Sequence, residues 1–501
     1  MQQGLSENPA TVPDLLRDPT LFREAAFTGG RWLLPAGAEH IEVRNPSSGR
    51  LLGRIPVLGD SDVDNAISAA REAFSSWRSS MAESRAELLL AWYRLIIQHK
   101  EDLAKLITLE QGKPLAESIG EIEYGAGFVR WFAEEARRAY GETIPTHLPG
   151  RNLSTVYEPC GVAVLITPWN FPHAMLVRKA AAAIAAGCSV IALQSEETPF
   201  SALALAELAD RAGFPAGLIN VLTGHAKPIV ARLCDEPTVR VVSFTGSTAV
   251  GRIILQQASE TVKRVCMELG GHAPFIGFPD VDMDTLVDAA IAAKFQTSGQ
   301  DCLAANRIYI HHHIYDEFVK EFTRRTEALK VGDGFDDSVE IGPLQHEGQV
   351  RKAIDHVQDA VAKGARLMTG GTRHGAGELF YTPTVLADVT PEMKIYTEET
   401  FGPVAALCSF TTEQEVLSAA NQSEYGLAAY VYSRDVETCL RMSSNLEYGM
   451  VGVNSIKLTG PPIPFGGVKQ SGMGREGARY GLREFSNLKY ICMNNGSTSG
   501  S

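Results

Sequence analysis

Between residues 162 and 260, short apolar runs alternate with helical stretches, and few folds accommodate that rhythm. "VAVLI" (162–166) passes through a proline-rich loop into "AMLVRKAAAAIAA", which stops at Gly187 ahead of "SVIAL" (189–193). "TPFSALALAELADRAG" follows, then "GLINVL", a polar helical stretch, "VRVVSF" (239–244) and "TGSTAVGRIILQQA". Strands and helices alternating at this spacing imply a parallel sheet with right-handed crossovers, whose ligand site lies beyond the C-terminal strand ends. Upstream, residues 61–140 read as helical: "SDVDNAISAAREAFSSW" opens on Ser61 or Asp62 as a cap and repeats apolar residues at Val63, Ile67, Ala70 and Phe74. From Glu268 onward a second α/β pattern begins, with "NRIYIH", "GARLMTGG" and "AALCSF" between helical stretches. No fixed period recurs, so this is a second domain and not a repeat. After Phe465 the chain is rich in glycine and then returns to a β-like "LKYICM".

The 501 residues are 45% hydrophobic, enough to bury a large core; at roughly 150 residues per domain, the length suggests about three structural units. Net charge is −13, and the basic residues are dispersed. That disfavours nucleic acid and anionic membrane surfaces as partners and favours a small molecule. The start "MQQGLSENPATVPDLLRD" lacks a basic, then apolar, secretory pattern, and the apolar stretch 174–193 is interrupted by Arg178, Lys179 and Gly187. Eight cysteines are scattered without a CxxC pair, which points to a reducing, cytoplasmic setting. The closing "NNGSTSGS" has the composition of a flexible linker.

Two glycine clusters compete for a phosphate. "GMGREG" (472–477) fits G-x-G-x-x-G but follows no strand, so a tight turn is the better reading. "FTGSTAVG" (244–251) lies between an apolar run and a helix start, where open backbone N–H groups meet phosphate and Gly246 and Gly251 admit close approach. Arg252 and Ile253 follow where a nucleotide-hydrolysing P-loop would carry Lys and Ser or Thr, so the loop suits a dinucleotide.

"FQTSGQDCLAANR" (295–307) sets Cys302 among polar, turn-forming neighbours. A structural cysteine is usually a small buried hydrophobe; this one suits a thiol that meets a substrate. No His with a cysteine-protease signature lies near it, and the available carboxylate is Glu268 in "MELGG", which alone reads rather as a strand-end acid. Asn170 between Pro168 and Pro172 reads alone equally as a turn residue or a functional one, and Glu399 and Phe401 as an exposed acid and a core aromatic. "HHH" (311–313) reads as a solvated strand end: adjacent histidines in a strand face opposite sides, and no acid or Cys cluster supports a metal.

Together, "TPWNFP" (167–172), "FTGSTAVG", "MELGG", "GQDC" (299–302), "EETFGP" (398–403) and "PFGGVKQSGMGREG" (464–477) resemble, in order and spacing, the NAD(P)-dependent aldehyde dehydrogenase superfamily. The likeness spans roughly residues 25–493, and within the superfamily "WFAEEARRAYGETIP", "TPFSALALAELA" and "PFGGVKQSG" most resemble succinate-semialdehyde dehydrogenases. The resemblance implies an α/β fold with a Rossmann-type parallel-sheet cofactor domain (1–143 and 161–267) and an α/β catalytic domain (268–477). It adds a small β oligomerisation arm (144–160 and 478–495), a flexible tail at 496–501 and assembly as a homodimer or homotetramer. It implies Cys302 as nucleophile, Asn170 as oxyanion donor and Glu268 as general base for thioester hydrolysis. It places NAD against Ile166, Thr167, Trp169, Glu196, Phe244, Gly246, Ser247, Val250, Leu269, Glu399 and Phe401, and the aldehyde against Arg178, Gln296 and Phe465. No metal is implied.

The chain departs from its likeness in two places. Relatives carry Lys-Pro where Leu193 and Gln194 stand, which removes a cation from the adenosine ribose and leaves Glu196 to repel a 2′-phosphate; NAD is therefore favoured over NADP. Arg178 suits the distal carboxylate of a semialdehyde, though a plain helix-face arginine is the alternative. The second arginine expected six residues before the nucleophile is Gln296, and "NSIKLTGPPIPFGG" also differs. A small carboxylated semialdehyde such as succinate semialdehyde is expected, with an uncharged aliphatic or aromatic aldehyde as the alternative. A cofactor-free thiol esterase and a CoA-acylating enzyme are the rival chemistries.

Overall fold

The computed structural model describes residues 11–494, so the tail at 496–501 lies outside the described residues. Among these, the largest sheet has eight strands. Their order is Gly472–Met473, Arg264–Glu268, Val239–Thr245, Val162–Thr167, Ser189–Gln194, Ile219–Leu222, Ala26–Thr28 and Arg31–Leu33. The five central strands are parallel, as their alternation with helices requires. Antiparallel strands close both edges, an N-terminal hairpin on one side and Gly472–Met473 on the other. Strand order reverses at Val162–Thr167: the chain's next strand lies on one side of it and Val239–Thr245 on the other, with Ile166 opposite both Leu193 and Phe244. Such a switch point opens a crevice at the C-terminal strand ends.

The helix Ala174–Ala186 is buried along its whole length, because it packs between this sheet and the helices Ala82–Gln98 and Leu115–Ala136. That is why it shows no polar face. The helix expected to start at Ser61 or Asp62 instead spans Asp60–Trp77 with Gly59 as its cap; Asp62 reaches back and accepts the Gly59 amide at 3.2 Å.

A seven-stranded second sheet begins at Ala273–Gly277, immediately after the Glu268–Gly271 turn. It is parallel except for the edge strand Arg366–Thr369. The chain then recrosses: Gly472 pairs with Glu268 in the first sheet. The helix Ala478–Glu484, assigned to the arm in the sequence reading, packs Leu482 into the first core instead, because its apolar face meets Phe128 and Phe132 there. The arm narrows to Ser486–Asn494 paired antiparallel with Arg151–Pro159, plus the short strand Thr143–Ile144. Of the three histidines only His311 ends a strand; His312 and His313 lie in the following turn, so the opposite-face argument does not apply, and the rings sit 4.0–4.8 Å apart. No described helix is long and apolar enough to cross a membrane.

Candidate active site

A cavity of about 610 Å³ opens between the two sheet units, and Cys302, Arg178, Gln296 and Phe465 all line it. Glu268 and Asn170 lie outside that lining, each 2% exposed.

Cys302 follows a turn in which Thr297, Ser298 and Gly299 have φ of 49°, 57° and 72°. Consecutive left-handed residues are costly unless their surroundings hold them. Here Glu117 accepts the Thr297 amide at 3.0 Å and its hydroxyl at 3.1 Å, and Ser298 Oγ donates to the Gly342 carbonyl at 2.9 Å. Gln300 Nε2 donates to the Pro343 carbonyl at 3.2 Å, while its Oε1 accepts the Gln345 amide at 2.9 Å. The polar run is thus not an exposed loop: Thr297, Ser298 and Gln300 are buried, and their polarity serves a hydrogen-bonded frame around the thiol. Gly271 lets the Glu268–Gly271 turn lie against Cys302, since a Cβ there would strike the Cys302 carbonyl. Burial pushes the Cys302 thiol well above its ordinary value, with Asp301, Glu268 and Glu399 adding to the effect and Arg178 opposing it.

Asn170 is more than a turn residue. Its Nδ2 donates to the Gln300 carbonyl at 3.0 Å, two residues before Cys302, which leaves one N–H of the amide for another acceptor. Its own carbonyl takes Lys113 Nζ at 2.6 Å, and Lys113 is paired with buried Glu121 at 2.7 Å. Glu121 also accepts the His173 and Ala174 amides at 2.9 and 3.1 Å, fixing the end of the loop. On the other side Gln194 donates to the Pro168 carbonyl at 2.7 Å and accepts from the Thr167 hydroxyl. The departure at Gln194 therefore clips the Asn170 loop to the neighbouring strand.

Glu268 ends the strand Arg264–Glu268, and neither carboxylate oxygen has a hydrogen-bond partner. Gly466 makes the room: a Cβ there would stand 2.9 Å from Glu268 Oε1. Burial pushes the Glu268 carboxyl well up, reinforced by Glu476 and opposed by Arg178, Lys179 and Arg475. Glu476 shows the reverse: burial works against its charge, yet Arg178 and Lys179 hold it below the ordinary carboxylate value. Arg178 Nε lies 2.5 Å from Glu476, and Lys179 Nζ pairs with the same carboxylate while reaching Ser243 Oγ at 3.2 Å. Arg178 is consequently no surface arginine: its side chain is 3% exposed, stacked 4.3 Å from the Phe465 ring. Two carboxylates with opposed environments in one site mark a division of labour.

On the sheet side, Ser247 caps the helix Thr248–Ser259 by accepting the Val250 amide at 3.3 Å, and the first-turn amides of Thr248 and Ala249 remain open. Gly246 lies under the Phe244 ring. Gly251, expected at a phosphate, packs instead inside the helix against Leu269. Glu399 is half-buried, not exposed; it accepts the Gly271 amide at 3.0 Å, and desolvation pushes it up to about 7. Phe401, at φ 53°, meets Trp169 edge to face at 5.5 Å. Leu193 is buried with Ile166 and Leu222, and Glu196 stands at the sheet's exposed lip, 3.3 Å from His225 Nδ1. An open helix start at the switch point and an acid at the next strand end fit a dinucleotide.

Matching the aldehyde dehydrogenase family over residues 32–491, the chain belongs to that family. It is 53% identical over 492 residues to a non-phosphorylating aspartate-semialdehyde dehydrogenase of Halomonas elongata, covering 98% of this chain and 100% of that protein. Identity to the NADP-dependent succinate-semialdehyde dehydrogenase of Escherichia coli is 48% over 478 residues, 95% of this chain and 99% of that one. A crystal structure of succinate-semialdehyde dehydrogenase from Burkholderia pseudomallei superposes with a TM-score of 0.95 at 47% identity, covering 96% of this chain and 99% of that one.

Proposed function

We propose that this aldehyde dehydrogenase oxidises a small carboxylated semialdehyde to the acid, with NAD as electron acceptor. The observation that carries the chemistry is a cavity-facing thiol close to a buried, hydrogen-bond-free carboxylate, beside a switch-point crevice that fits a dinucleotide. Cys302 Sγ gives its proton to solvent water in the cavity and forms the S–C bond to the carbonyl carbon as the carbonyl π bond opens. The free Asn170 N–H and the Cys302 amide receive the oxyanion, which holds the adduct as a thiohemiacetal. When bound, the oxidised nicotinamide would supply the hydride acceptor. Ser247, Gly246, Val250 and the walls Ile166, Thr167, Phe244 and Leu269 would hold the dinucleotide, with Glu399, Phe401 and Trp169 toward its nicotinamide and Glu196 toward its adenosine ribose. Glu268 then takes a proton from water as the water oxygen attacks the thioester; the C–S bond breaks and the thiol is restored. A carboxyl raised by burial suits that base role, since it is a stronger base than an ordinary carboxylate.

Two features support NAD. Leu193 is an apolar core residue where a cation would stabilise a 2′-phosphate, and Glu196 presents a like charge at the lip. NAD should give the higher kcat/KM by more than about tenfold, the scale of one screened repulsion between close charges. The exposed Leu488 and Tyr490 on the three-stranded sheet support assembly through that arm. Because Glu476 already matches the charge of Arg178, oxidation of an uncharged aldehyde is the second reading. Assaying succinate semialdehyde, glutarate semialdehyde, hexanal and benzaldehyde with NAD separates the two. Replacing Cys302 with alanine should abolish oxidation of the best of these; undiminished turnover would overturn the chemistry.

A further inference from the structure

Five charged residues line the cavity that holds Cys302: Glu117, Glu121, Asp301, Arg178 and Lys457. Four are committed to partners within the protein. Glu121 has Lys113 and two backbone amides, Glu117 has Thr297, and Asp301 accepts the Leu303 amide at 2.9 Å. Arg178 is ion-paired with Glu476, although its Nη2 is a buried donor with no partner. Lys457 differs: it is exposed and has no acidic partner among the described residues.

We propose that Lys457 is the specificity-determining cation of this site, drawing in and holding the carboxylate at the far end of the aldehyde. The inference rests on the semialdehyde reading above and deepens it by moving the recognising charge from Arg178 to Lys457. Arg178 cannot give its charge to a substrate without leaving buried Glu476 with Lys179 as its sole ionic partner, and weakening a buried pair is costly in a dry site. It can still lend its unpartnered Nη2 as a hydrogen-bond donor. Gln296, standing where a second arginine was expected, is neutral and so adds no competing cation. Thr459, on the same segment as Lys457, adds a hydroxyl to the wall. The ammonium keeps its water on the solvent side and exchanges the inward part for the carboxylate, so its cost of desolvation is small.

The test compares wild type, Lys457→Met and Lys457→Arg on succinate semialdehyde and hexanal with saturating NAD. The readout is the ratio of the two kcat/KM values, which a general packing defect would leave in place. The wild type should favour the anionic aldehyde, and K457M should lower the ratio by about tenfold through KM, the loss of one charge-assisted hydrogen bond. Lys457→Arg should recover most of it. Raising the salt concentration should increase the wild-type KM for succinate semialdehyde and change that of K457M much less. A K457M ratio equal to that of the wild type, or a wild type that prefers hexanal, overturns the assignment to Lys457. Failure of the wild type to oxidise any aldehyde would instead overturn the underlying reading.

Discussion

Replacing Glu268 with glutamine separates the two halves of the proposed reaction. The substitution keeps the side chain's volume in a slot opened by Gly466 and removes only the basic oxygen, so the fold should be retained. Glu268 is buried without a hydrogen-bond partner, so no neighbouring side chain is left unpaired by the change. Loss of a general base typically costs about 10² to 10⁴ in rate, or about 3 to 5 kcal/mol of barrier. The full cost should fall on hydrolysis of the thioester, because formation of the thiohemiacetal and oxidation precede it. Rapid mixing of E268Q with NAD and aldehyde should show an absorbance burst of NADH near one equivalent per active site, followed by a steady state slower by that factor. The sign of the pH effect follows from the raised carboxyl: the base works only when deprotonated, so wild-type kcat falls as pH drops through a value well above the ordinary carboxylate range. That acidic limb should vanish in E268Q. If the burst disappears together with turnover, Glu268 acts on the thiol before oxidation, and the assignment to water activation is wrong.

Asn170→Ala removes the side-chain donor of the oxyanion site and should lower kcat/KM by about 10² to 10³ with little change in cofactor affinity; an effect under tenfold would remove Asn170 from that role. Lys113→Met leaves Glu121 buried with only backbone partners, and thermal or urea unfolding should show a loss of about 3 to 5 kcal/mol. A change under about 1 kcal/mol would mean that water enters and donates to Glu121 in place of the lysine. Gly251→Ala adds a methyl that runs into Leu269 on the cofactor wall, so KM for NAD should rise several-fold while KM for the aldehyde holds; equal shifts in both would place the strain elsewhere.

What the sequence disclosed and what it withheld follow different physics. The parallel sheet was legible because burial on both faces turns each strand into a short apolar run, and the crevice follows from the strand order. The edge strands Arg31–Leu33 and Gly472–Met473 are too short to show a period, and only their pairing partners define them. Cys302 stood out by the polarity of its neighbours, but the reason for that polarity was hidden: Glu117, Gly342, Pro343 and Gln345 come from distant parts of the chain. Glu476 was the largest omission, since a glycine-rich turn gave no hint of a buried acid. A signal did exist. Two adjacent cations, Arg178 and Lys179, inside an alanine-rich helix with no polar face cannot both be solvated, so the fold must bring them an anion. Glu476 is that anion, carried back to the first sheet by the Gly472–Met473 crossing, and the same crossing sets Gly466 beside Glu268. The charge that reinforces the raised Glu268 carboxyl therefore arrives from about 200 residues downstream of it, and no local pattern could have assigned it.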